Sequence, residues 1–91
     1  MPYIKAEKRE ALDRDLNRIR PETEGELNYA ITVLVRRWAE DHSPLGFKYE
    51  IGNRVMGVFE SAKAEFYRRC MVPYEDLKRE ENGDVYGELV E

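Results

Sequence analysis

One histidine, one cysteine and one tryptophan in 91 residues leave this chain short of the side chains that most catalysis uses. A lone Cys70 rules out an intramolecular disulfide. The single His42 lies in an expected interhelical turn while Cys70 lies toward the far end of the next helix, so a Cys/His nucleophile pair is not expected. No Cys/His cluster has zinc spacing, and no glycine-rich phosphate loop follows a strand. Ser43 and Ser61 lack an evident base. No metal or cofactor is therefore expected, and the reading is non-enzymatic. No apolar run approaches the roughly 20 residues of a membrane helix. The start MPYIKAEKRE also lacks the apolar core of a signal peptide, so a cytoplasmic protein is expected.

What is present is charge and helix-forming pattern. The chain is 37% charged and 42% apolar, enough for one small helical domain over 1–91 with a modest core. The net charge of -4 disfavours nucleic acid and anionic lipid as partners. The basic residues also form no face on one helix. Residues 1–20 carry six Lys or Arg against four acids, and residues 75–91 carry two against seven. A basic start thus has an acidic end to fold against, unless both are solvated tails.

The expected fold is all-α. Thr23 and Glu26 have capping-box spacing after Pro21, opening a helix over about 23–41. Leu27, Ala30, Ile31, Leu34, Val35 and Trp38 fall on one stripe roughly 140° wide. His42 to Gly46 carries turn formers. A second long helix is expected over about 47–72, with Ile51, Val55, Val58, Phe59, Ala62 and Phe66 on one face. A short turn makes the pair antiparallel. The start of the first, at Glu26, Asn28 and Tyr29, is then expected near Phe66 to Val72. Gly52 and Gly57 each cost a helix about 1 kcal/mol. Gly57, Ser61 and Ala64 form a ridge of small side chains suited to close packing by another helix. Pro73 is expected to end or kink the long helix, with a short helix over Tyr74–Glu81 stopped at Asn82-Gly83. A thinner stripe of Leu12, Leu16 and Ile19 marks a shorter N-terminal helix within 6–20. Residues 1–5 and 84–91 read as extended or flexible.

The candidate site is the aromatic and charged stretch from Glu65 to Tyr86. Arg69 falls in line with the apolar stripe, so its guanidinium needs an acid such as Glu24, Glu26, Glu75 or Asp76, or else solvent. The functional alternative gathers Arg68, Arg69 and Lys63 around a phosphate or carboxylate ligand. Tyr29, Tyr67, Tyr74 and Tyr86 are expected at the same end, either as half-buried core edges or as a recognition surface. Tyr86 is a structural clasp if it packs over Tyr67 or Tyr74. Asn28 is expected to bond a neighbouring helix or the returning tail. Glu75 and Asp76 suit the positive end of the short helix.

The ordered motifs GELNYAIT at 25–32, ESAKAEFYRR at 60–69, PYED at 73–76 and NGDVY at 82–86, after the opening MPYIKAEKREALD, carry a resemblance over nearly the whole chain. They resemble a family of small uncharacterised proteins of bacterial and phage genomes. The resemblance brings no established activity; it implies an accessory protein of phage or mobile-element type that acts by binding. Two classes of function follow. The first is a helical interaction module, expected as a homodimer that also binds another protein. The second is a sequestering protein for a small anionic ligand such as a nucleotide, held by Arg68, Arg69 and Lys63 with Tyr67 or Tyr74 stacked on a base. A metal-dependent enzyme acting on nucleotides has only acids near arginines to support it.

Overall fold

The computed structural model describes residues 2–87, and the expectations for Met1 and for 88–91 lie outside that range. All regular structure among the described residues is helical: α1 (Ala6–Leu16), α2 (Glu24–His42), α3 (Tyr49–Phe66), a π-helical turn (Tyr67–Met71) and α4 (Val72–Asn82).

Local chemistry explains each boundary. Thr23 Oγ1 accepts the Glu26 amide at 3.0 Å, and Glu26 Oε1 accepts the Glu22 amide at 3.1 Å. The box therefore closes one residue further back than the usual pattern, and it still satisfies two amides at the start of α2. Gly46 turns the chain after α2 at φ 121°, its amide bonding the Ser43 carbonyl at 3.1 Å. His42 is the last residue of α2 rather than part of the turn. Gly83 stops α4 at φ 91°, donating to the Arg79 carbonyl at 2.9 Å.

Pro73 does not end the long helix. Phe66, Tyr67, Met71 and Val72 all keep right-handed helical backbone angles, and the Val72 amide reaches back five residues to the Tyr67 carbonyl. Proline has no amide to donate, and its ring crowds the preceding turn. A widened π turn just before it gives the ring room without breaking the axis. From Tyr49 to Asn82 the chain is one rod, about 50 Å long at about 1.5 Å per residue. The molecule's longest dimension is 55 Å.

The modest core expected from 42% apolar content does not form within the chain. Ile51, 3% exposed, is the one buried residue among those described. α2 and α3 are in contact, and beside the connection between them Trp38, Ala39, Ser43, Gly52 and Val55 are half-buried. Farther out the two stripes do not cover one another: Leu27, Ile31 and Leu34 on α2 and Val58, Phe59 and Phe66 on α3 are exposed. Lengthwise coverage, implied by the short turn, needs both helices to stay in register for their whole length. A radius of gyration of 18.0 Å against about 12 Å for a compact chain of this size expresses the same openness.

Candidate functional site

The rod has a hinge end and a far end, and the far end holds most of the candidate residues. Arg68 extends two bonds from Nη2 to the Glu65 carboxylate, at 2.8 and 3.1 Å. The same carboxylate accepts the Tyr3 hydroxyl, which crosses 62 positions of sequence to reach it. The N-terminal segment, expected to be extended or flexible, is thus tied to α3 through one tyrosine. The Tyr3 bond, with Arg68 second, holds the Glu65 carboxyl below the usual carboxylate range. In return Glu65 raises the Tyr3 phenol and the Arg68 guanidinium above their ordinary values.

Arg69 is exposed and forms no ion pair among the described residues. Its helical angle matched that of Ile51, but the stripe is open to solvent at this position. No buried charge arises, and neither Glu24 nor Glu26 has to reach it. Lys63 lies 3.9 Å from Glu60 on its own helix. Exposed pairs of this kind contribute little to stability.

On α4, the Glu75 carboxylate beside Tyr67 raises its phenol above the ordinary value, and Tyr86 adds to the rise. Tyr67 and Tyr86 are both exposed, at 51% and 63%, and share no ring stacking among the described residues. The Tyr86 amide donates to Asp84 Oδ1 at 2.9 Å, a local bond that turns the chain after Gly83. Glu75, Asp76, Arg79, Val85 and Tyr86 line the groove between α4 and the tail. Asp76 pairs with Arg79 at 3.6 Å, and Lys78 Nζ stands 5.7 Å from the Tyr74 ring centroid. These contacts stay within α4.

Asn28 and Tyr29 do not join this group through any hydrogen bond or shared groove among the described residues. The Asn28 carbonyl accepts the Thr32 hydroxyl at 2.8 Å within α2. Tyr29, 71% exposed, lines an open groove with Ile19, Pro21, Ala30 and Leu34 where the α1–α2 segment runs beside α2.

The hinge end was not singled out from the sequence. The Trp38 ring stacks on His42 with centroids 4.1 Å apart, and the Arg54 guanidinium lies 5.0 Å from the Trp38 centroid. His42 Nδ1 donates to the Trp38 carbonyl at 2.8 Å, which makes it the protonated ring nitrogen. A Cβ on Gly52 would stand 2.9 Å from Phe47 Cζ, so the glycine admits the Phe47 ring against α3. Gly57 has open space instead.

Tyr3 was the residue missed at the far end, and Glu65, which opens the candidate stretch, was not paired there with Tyr3 or Arg68. The signal for Tyr3 was a lone aromatic in a charged start; for Glu65 it was only the three-residue spacing to Arg68, too common to stand out.

Among the described residues no three His, Cys, Asp or Glu side chains gather as a metal site, and no helix is long and apolar enough to cross a membrane. The features present are open apolar faces, a polar tie at one end and a groove between α4 and the tail beside it, which together define a small all-helical chain with uncovered surface. Residues 1–85 match the family described as a domain of unknown function, DUF6899, and the chain belongs to that family. No curated protein and no solved structure matches the chain.

Proposed function

We propose that this protein is a non-catalytic helical interaction module whose open apolar faces are surfaces for another polypeptide. One observation carries the reading: of two stripes patterned for burial, Ile51 alone is buried in the single chain. Uncovered apolar area on this scale marks an interaction surface. In the bound state α2 and the rod run antiparallel, as their short connection favours, with both stripes covered. Cytoplasmic placement belongs to the proposal and rests on the single unpaired cysteine. So does a role as a phage or mobile-element accessory protein, which rests on the ordered motifs GELNYAIT, EFYRR, PYED and NGDVY.

The anionic-ligand reading has less behind it. Arg68 is already held by Glu65 in two bonds, and Lys63 stands near Glu60. A phosphate would have to displace a carboxylate of the chain itself.

Photo-crosslinking in producing cells tests the proposal. A benzophenone side chain at Ile31 or Phe59 is expected to trap a polypeptide adduct, while the same group at Leu45, in the connection and 95% exposed, traps far less. Equal yields at all three positions would sink the reading.

A further inference from the structure

The open faces have the extent and arrangement of half a dimer, an inference that rests on the interaction reading above and names its partner. The chain exposes 8662 Å², against about 5,500 Å² for a compact chain of 10.8 kDa. The excess is about 3,000 Å² per chain. Covering half of it on each of two chains would bury about 3,000 Å² in total, within the range of obligate dimers.

The placement of that surface points the same way. On α3 the stripe starts at Ile51 and Val55, covered at the hinge, and continues unchanged in chemistry through Val58, Phe59, Ala62 and Phe66. On α2 it starts at Trp38 and Val35 and continues through Leu34, Ile31 and Leu27. Two apolar faces leave one hinge, and each is a continuation of a contact the chain already makes. None of these stripe residues carries a charge, so the complementary surface is apolar, as the same stripe on another copy is. An isologous contact needs one self-complementary patch.

We propose that the exposed stretches of α2 and α3 are covered by the same stretches of a second copy, in a twofold-symmetric dimer. The core missing from the single chain then lies between the two hinges. Gly57, Ser61 and Ala64, on a different side of α3 from the stripe, remain outside this contact.

Mass measurement in solution, by light scattering on the purified full chain across a hundredfold concentration range, tests the dimer. The expected mass is twice 10.8 kDa, with a melting temperature that rises with concentration. Phe59→Glu is expected to weaken the dimer by at least about a hundredfold, since it would place a carboxylate in an apolar contact. Leu45→Glu should leave the mass unchanged. Should Phe59→Glu fail to fold, the wild-type mass and its concentration dependence still decide the matter. A wild-type monomer at all concentrations overturns the dimer. If that monomer binds an apolar dye and still gives position-specific crosslinks, the interaction reading survives with a different partner. A compact monomer that binds no dye removes both.

Discussion

The hinge end and the far end of the rod are held by different physics. At the hinge, Ile51 is buried, and the half-buried Trp38 stacks on His42 with the Arg54 guanidinium 5.0 Å from its ring centroid. At the far end, Tyr3, Glu65 and Arg68 form a polar tie on an exposed surface, and the apolar residue beside it, Phe66, remains 61% exposed. Burial of apolar area involves no charge to titrate or to screen, whereas a surface tie depends on both pH and ionic strength. One end organises the single chain, and the other only tethers it.

The largest effect is expected from truncating Ile51. Ile51→Ala should cost about 2–5 kcal/mol of stability in denaturant unfolding. Phe59→Ala sharpens the comparison, because in a free chain an exposed phenylalanine costs little, while one covered by a second copy costs about 3–5 kcal/mol. A loss at Phe59 comparable to that at Ile51 is expected from the dimer, with a second copy covering the stripe that the single chain leaves open. Near-zero loss at Phe59 would mean that nothing covers it, against the dimer.

Pro73→Ala comes next. Alanine restores the missing amide and is up to about 3 kcal/mol more favourable than proline inside a helix. The π turn at Tyr67–Met71 should then relax to α-helix, rotating Glu75 away from Tyr67. A fall in the Tyr67 phenol pKa, followed by ring NMR, is the expected sign; an unchanged pKa would show that the wide turn has another cause.

Gly57→Ala should gain about 1 kcal/mol of helix stability, since a Cβ there meets nothing within 4 Å. A loss would reveal a close-packed neighbour on the small-residue ridge, and with it a second interface.

The smallest effect is pH-dependent and confined to the tether. Glu65 has a lowered pKa in the folded chain, so its contribution is present above the usual carboxylate range and is lost as pH falls through the folded value. Tyr3 has a raised pKa, so its contribution is present below the ordinary phenol value and is lost as pH rises through the folded one. The tie should therefore hold across the whole neutral range and release at both extremes. Labelled Tyr3 ring signals against pH should show two transitions, and Tyr3→Phe should raise amide exchange in α1 without altering α3 near Ile51. Exchange that rises equally at both ends would show that they are not independent.

Much of the local structure was legible. Thr23 and Glu26 announced the start of α2, Asn82-Gly83 the end of α4, and the apolar spacing named both stripes, because capping and periodicity act over three or four residues. Pro73 was legible as a disturbance but not as a π turn, since proline's cost can be met by ending, kinking or widening a helix. For Arg69 the sequence left an acid partner and solvent both open, and the exposed side chain takes solvent, because a residue in line with a stripe is buried only where something covers that stripe. Within the candidate site, Tyr86 lines a groove with Glu75 and Asp76 of α4 and does not stack on Tyr67 or Tyr74. The Tyr3 tie to Glu65 was invisible, because 62 intervening positions carry no local signal of the contact.

By itself the sequence determined where helices begin and stop and which side of each is apolar, since these depend on backbone amides, glycine φ angles and side chains a turn apart. Only the tertiary structure decided how much of the apolar surface one chain can cover. Coverage depends on how two stripes meet in space, and here they meet at the hinge around Ile51 and leave the rest for another surface.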